Sequence, residues 1–232
     1  MGRLAHLRIS LPLLLQHTPM HVVVVDYSCP DRCAWWAHGA YPPPDSRVSV
    51  VSSGYREVFN KPEALNLGLR HAAERGDEWL CVLDADTLVT PALWGWLSAH
   101  VQPGQFYFFE GYKPRQDLTG LLVVHARDYL DSGGYDENFA GWGAEDFDMR
   151  CRLRFKLGLP FEEIPCGLAD SIPHGDEDRT QHYRVKDKRR SHVANQHRLI
   201  ANVRRWTGSH ILDLDRDEVR RLLGMPEARD RE

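Results

Sequence analysis

The feature that most constrains this chain is a repeated unit. Short β-branched or apolar runs end in carboxylates and are separated by stretches of helical spacing. His21–Val25 runs into Asp26, and Glu78–Leu83 runs into Asp84-Ala85-Asp86. Between and around them, Arg3–Gln16 places Leu4, Leu7, Leu11 and Leu14 at helical spacing, and Pro62–Arg75 does the same with Leu65, Leu69 and Ala72 before Gly76. Arg47–Ser52 reads as a further strand and Pro91–His100 as a further helix. Strands alternating with helices predict an α/β fold with a mainly parallel central sheet flanked by helices.

The middle of the chain changes character. Gln105–Phe109 and Gly120–Val124 read as strands, and Arg127–Ser132 as a short helix. A glycine- and aromatic-rich loop, Gly133–Gly143, precedes a helical pattern over Glu145–Leu157, and the prolines of Gly158–His174 predict loops around one short strand. Arg184–Arg205 holds eight Lys or Arg and one Asp. Its apolar positions, Val193, His197, Ile200 and Val203, predict a surface helix. The basic face is either a solvated surface or a contact with a diphosphate or a membrane carrying a lipid-linked acceptor. Residues 211–232 predict a final helix and a tail.

Composition narrows the function classes. With 42% hydrophobic and 27% charged residues in 232, the chain is long and apolar enough for one large domain with a real core. Leu11–Leu15 and Val22–Val25, the longest apolar runs, are far too short to span a bilayer. Arg3, His6 and Arg8 interrupt the N-terminal apolar stretch and argue against a secretory signal. A net charge of −4 gives no global attraction to nucleic acid. Five cysteines is an odd number, and Cys29-x3-Cys33 lacks the usual zinc spacing and a second pair, so reduced thiols in a cytoplasmic protein are expected.

Two groups carry chemistry. Asp84 and Asp86 follow a buried strand, and in open α/β sheets ligands bind beyond the carboxyl ends of strands. Two acids there need a cation, and an oxygen-rich site suits Mg²⁺ or Mn²⁺ bridging to a diphosphate. A solvated Asp-x-Asp turn is the plainer reading. The second group is Gly141-Trp142-Gly143-Ala144-Glu145-Asp146. Its glycines permit an unusual loop, its Trp offers a flat face, and its acids open a helix, where either could be a general base or simply favour the helix dipole. Adjacent helical residues diverge by about 100°, so Glu145 and Asp146 should not share one role.

These residues carry a resemblance. Phe59-Asn60-Lys61-Pro62-Glu63-Ala64-Leu65-Asn66-Leu67-Gly68, then Asp84-Ala85-Asp86, then Gly133-Gly134-Tyr135-Asp136-Glu137 and Gly141–Asp146 follow in the order seen in family 2 glycosyltransferases of the GT-A (nucleotide-diphospho-sugar transferase) fold. The last block resembles the β-1,4-galactosyltransferase type. The resemblance runs from about Arg3 to His174. It implies an inverting, metal-dependent transferase that moves a sugar from a nucleotide-sugar, a UDP-sugar above all, to a saccharide or other hydroxyl acceptor.

Residue by residue, the resemblance implies that Asp146 is the general base with Glu145 beside it in acceptor binding. Phe59 packs on the base, Lys61 stands where the family has a donor-binding Arg, and Asp84 lies near ribose and metal. Trp142 is the mobile-loop residue, and Arg3 and Asp26 are further donor-site positions. Asp86 and His174 are the metal ligands, with His182 a poorer second choice for the histidine. The family also begins with a nucleotide-binding strand and a loop ending in Arg. Met1-Gly2-Arg3-Leu4 resembles the end of that loop, so the first strand is expected to be missing, with residues 1–210 the transferase domain and 211–232 a C-terminal helix and tail. The alternative this raises is an inactive sugar- or nucleotide-binding relic.

Overall fold

The computed structural model describes residues 2–44, 47–109, 118–173, 175 and 180–225. In chain order the elements are α1 (Leu4–His17), β1 (Val22–Asp26), α2 (Cys33–Ala40), β2 (Val48–Ser52), α3 (Lys61–Glu74), β3 (Trp79–Val82), β4 (Thr87–Val89), α4 (Pro91–His100) and β5 (Phe106–Phe109). They continue with β6 (Leu122–His125), α5 (Ala126–Ser132), α6 (Glu145–Cys151), β7 (Phe161–Ile164), β8 (Ala169–Ser171), α7 (Lys188–Thr207) and α8 (Arg216–Leu222). No helix among the described residues is long and apolar enough to cross a membrane.

The α/β class is as expected, but the sheet is mixed rather than mainly parallel. β1 and β2 pair in parallel, and a four-stranded sheet runs β3-β6-β5-β7. In it β6 is antiparallel to both β3 and β5, while β7 is parallel to β5. β4 and β8 form an antiparallel pair. The cause is β6, which turns back between two strands that would otherwise be parallel neighbours. Its own sequence, Leu-Val-Val-His, is apolar in either direction, so direction was not legible there.

Period-two alternation divides the core. Phe106 and Phe108 join Leu80, Val82, Leu122 and Val124 on one face of the sheet, where Met149, Leu153, Leu199 and Val203 cover them. Tyr107 and Phe109 point to the opposite face with Val123 and Ile164, covered by Leu93 and Leu97 of α4. All four residues of β5 are fully buried. β1–β2 is a separate layer, with Leu11 of α1 against Val24 and Val48. β1 and β3 are not paired with each other, and among the described residues no strand lies between them. A cleft of about 1800 Å³ runs there, walled in part by Val22–Val25 and Trp79–Leu83.

Local rules explain most boundaries. α3 opens on Asn60, whose side chain accepts the Glu63 N–H at 3.0 Å, with Pro62 in the first turn. Arg47 donates to the carbonyls of Thr18 (2.6 Å) and Leu15 (2.5 Å), tying the end of α1 to β2. The single helix expected over Glu145–Leu157 is α6 followed by a π-helical turn, Arg152–Lys156.

The expected basic surface helix is α7, but its buried face is Ser191, Asn195, Leu199, Asn202 and Val203, while Val193 is exposed. Polar groups won that face because each has a partner. Asn202 donates to Asp148 at 2.8 Å, and Asn195 to the Gly143 carbonyl at 2.8 Å.

Candidate active site

α3, the β3–β4 turn and the start of α6 converge on one cation. Lys61 is the first residue of α3, and its Nζ lies 3.0 Å from Asp146 Oδ2, 3.3 Å from Glu145 Oε1 and 3.4 Å from Asp84 Oδ1. Burial opposes the charged ammonium, but Asp146, Asp84 and Glu145 together outweigh it and hold Lys61 well above the ordinary lysine range. Burial is also the main cause that pushes the Asp146 carboxyl up to about 7. Glu145 and Asp84 add to the rise, and Lys61 opposes it. A carboxyl in that range is poised for proton transfer near neutrality.

Glu145 and Asp146 both reach Lys61, although successive helical residues diverge. Ala144 immediately before them is left-handed (φ 71°), which sets the entry of the chain into α6. Each keeps one buried oxygen, Glu145 Oε2 and Asp146 Oδ1, without a hydrogen-bond partner among the described residues. Buried acceptors of this kind are costly unless a ligand completes them. Both residues line the cleft.

Supporting contacts fix this geometry. Gly120 packs so tightly on Asp84 that a Cβ would collide with its carboxylate and lie 3.2 Å from Lys61 Nζ. Arg150 is fully buried with its guanidinium 4.1 Å from the centre of the Phe108 ring, and it donates to the Thr119 carbonyl, so it positions that turn. Asn66, five residues along α3 from Lys61, accepts from the Tyr129 hydroxyl and the Tyr135 N–H, both at 2.8 Å. It thereby moors the Gly133–Glu137 loop.

The Gly141–Gly143 loop is held by α7. Asn195 donates to Gly143, and Ser191 accepts the Trp142 N–H at 3.2 Å. Lys188 Nζ sits 4.2 Å above the Trp142 ring, and the His192 ring centroid is 5.3 Å from it. Gly143 (φ 97°) is doubly required, because a Cβ there would also lie 2.7 Å from His192 Nδ1. Lys188, His192 and Tyr183 line the cleft and were missed in the sequence. The basic run marked Lys188 only as one charge among eight, and no pattern marks the other two.

Phe59 lies between Tyr27 (5.6 Å, edge-on) and Tyr183 (5.3 Å), and all three line the cleft. Arg3, Asp84, Asp86, Trp142 and His182 line it as well. Asp26 does not. It is buried, and its carboxylate accepts the N–H groups of Cys29 (2.8 Å) and Ala34 (2.9 Å), so it organises the loop after β1.

His174 lies outside the described residues, and among the described residues no cluster of three or more His, Cys, Asp or Glu is arranged to hold a metal. The surroundings of Asp86 still fit a hard divalent ion. Asp86 lines the cleft, where its carboxylate would offer a hard ion oxygen donors, and its carbonyl accepts the Ile172 N–H at 2.9 Å, which brings Ile172 and Pro173 to the same wall.

Comparison with known proteins identifies the fold. The structure of the mannosyltransferase PcManGT from Pyrobaculum calidifontis, in complex with GDP-Man and Mn²⁺, superposes with a TM-score of 0.55 at 20% identity, over 73% of this chain and 54% of that one. The chain has the GT-A fold. Within this GT-A fold, residues 106–177 match the family described as the N-terminal domain of galactosyltransferase. That stretch runs from β5 to β8 and includes Gly141–Asp146, but not Phe59, Lys61, Asp84 or Asp86. Human β-1,4-galactosyltransferase 3 is 24% identical over 189 residues, 76% of this chain and 44% of its own length. Human β-1,4-galactosyltransferase 4 is 24% identical over 129 residues, 52% of this chain and 37% of its own. The chain thus spans less than half the length of these curated relatives.

Proposed function

We propose that the protein is an inverting, metal-dependent glycosyltransferase, of the family 2 and galactosyltransferase-like type. It moves a sugar from a UDP-sugar to a hydroxyl of a saccharide or lipid-linked acceptor. The observation that carries this reading is the meeting of Asp84, Glu145 and Asp146 on Lys61 in a cleft with Phe59 at one wall and Trp142 at another. The names of the relatives support a sugar transferase, and the GDP-Man and Mn²⁺ of the mannosyltransferase support a nucleotide-sugar and a divalent ion.

In this reading the acceptor hydroxyl gives its proton to Asp146 as its oxygen attacks the anomeric carbon and the bond to the diphosphate breaks. One displacement inverts the centre, so no covalent enzyme intermediate forms. Glu145 takes a second acceptor hydroxyl through Oε2. Trp142 covers the sugar, and Lys188 beside it supplies positive charge. Asp86 and His174 would hold Mn²⁺ or Mg²⁺, which supplies charge to the leaving diphosphate when bound. Lys61 offsets part of the repulsion among the three acids, so that they can lie close together.

Two binding results are expected. Mn²⁺ with UDP should raise the melting temperature of the protein, and Asp86→Ala should abolish the Mn²⁺-dependent part of the rise. An unchanged response in the variant would remove Asp86 from the metal site. Phe59→Ala should weaken UDP binding by about 1–3 kcal/mol, the cost of losing one aromatic stack on a base. Calorimetry giving equal affinities would assign the base elsewhere. An inactive relic would bind UDP with both signatures yet release no sugar from any donor.

A further inference from the structure

Outside the carboxylate site, the loop between β1 and α2 brings two thiols into contact. Cys29 Sγ and Cys33 Sγ are 2.9 Å apart, in hydrogen-bond contact, so a further approach of under about 1 Å would reach the roughly 2.05 Å of an S–S bond. The loop that does this is unusual. Ser28 (φ 52°) and Arg32 (φ 57°) are left-handed without being glycine, and Asp26 ties both ends by accepting the N–H groups of Cys29 and Ala34. Such conformations persist where the surroundings over-determine them. Both cysteines line the cleft, Cys29 partly exposed and Cys33 buried.

We propose that Cys29 and Cys33 form a thiol–disulfide exchange site that reacts with small-molecule disulfides and closes to an intramolecular disulfide at the cleft wall.

The environment separates the two roles. The hydrogen bond from the Cys33 thiol is the main cause that lowers Cys29, with burial opposing and the backbone N–H groups of Gly2, Asp31 and Cys33 assisting, to about 5. Cys29 is also the more exposed of the two thiols, so it is the one an external disulfide reaches and the attacking group. Cys33 is held up chiefly by that same hydrogen bond to Cys29, then by burial and by the Cys29 charge.

In the first step the Cys29 thiolate attacks one sulfur of a low-molecular-weight disulfide. A Cys29 mixed disulfide forms and one thiolate leaves. The charge that restrained Cys33 is then gone. In the second step Cys33 sulfur attacks Cys29 Sγ, its proton passes to the departing thiolate, and the Cys29–Cys33 bond forms. The two protein thiols lose two electrons, and the external disulfide gains them as two thiols.

Arg32 between the cysteines makes the product easy to read, because trypsin cleaves after it. The folded protein is incubated with oxidised glutathione, blocked with iodoacetamide, digested without reductant and analysed by mass spectrometry. The peptides ending at Arg32 and beginning at Cys33 should remain joined and separate on reduction. Cys33→Ser should stop at a glutathione adduct on Cys29. Cys29→Ser should give no adduct at Cys33. Circular dichroism of each variant checks that the fold persists. Unlinked peptides from the folded wild type, or first modification at Cys33, Cys81 or Cys166, would overturn the proposal. No sugar donor is used, so the outcome is independent of the transferase reading.

Discussion

Asp146→Asn is expected to lower turnover by about 10²–10⁴-fold, the usual cost of losing a general base, while donor affinity changes little. Asparagine keeps the size and removes the basicity. The pH profile supplies an independent readout. Burial pushes the Asp146 carboxyl up to about 7, so the base is protonated and idle below that value and free above it. The kcat/KM of the wild type should therefore rise through about pH 7 and level off, and this inflection should vanish in the residual activity of the variant. Glu145→Gln should instead raise the acceptor KM more than it lowers turnover. Near wild-type turnover in Asp146→Asn, together with an inactive Glu145→Gln, would move the base to Glu145.

Lys61→Met is the second large effect, and it falls on stability. Lys61 and its two nearest carboxylates are mostly shielded, with side-chain exposures of 15%, 9% and 13% for Lys61, Glu145 and Asp146. Removing one partner of a buried ion pair typically costs about 3–5 kcal/mol, because the charges left behind are uncompensated. Methionine keeps most of the length, so the loss is electrostatic. Burial already raises the Asp146 carboxyl and Lys61 opposes that rise, so without the cation Asp146 holds its proton still more tightly in the folded than in the unfolded state. The folded variant then binds more protons than the unfolded chain over the acid range, and its stability should recover as pH falls. Urea unfolding of both proteins at neutral and mildly acidic pH measures this. A deficit that does not change with pH would mean that Lys61 acts through packing alone.

How far the sequence reveals this site depends on the range of the interactions. Elements whose cause is local were legible. Asn60 and Pro62 announce α3, the β-branched run announces β1, and the unbroken aromatic run in Gln105–Phe109 fits a strand buried on both faces. α2 was not legible, because it follows a left-handed Arg32 with no capping side chain. β4 and β8 are three residues each and exist through their pairing.

The chemistry divides in the same way. Asp84-Ala85-Asp86 and Glu145-Asp146 could be read from their places at the end of a strand and the start of a helix. That Lys61, 85 positions before Asp146, would sit among three acids follows only from the packing of α3 against α6 and the β3–β4 turn. Asp26 shows the reverse case. Its place at a strand end resembles that of Asp84, yet its oxygens are taken by the backbone of the following loop. His192 carries no motif at all and is brought to Trp142 by the buried polar face of α7.

The most direct test follows the sugar itself. The protein is incubated with Mn²⁺ and α-linked UDP-sugars, with and without a panel of saccharide acceptors. Proton NMR then reads the anomer of the sugar transferred to acceptor, or released to water before it mutarotates. The expected result is a β-configured product that depends on Mn²⁺ and forms about 10²–10⁴-fold more slowly in Asp146→Asn. An α-configured product, or β product undiminished in Asp146→Asn, would contradict the proposed inverting displacement at this carboxylate cluster.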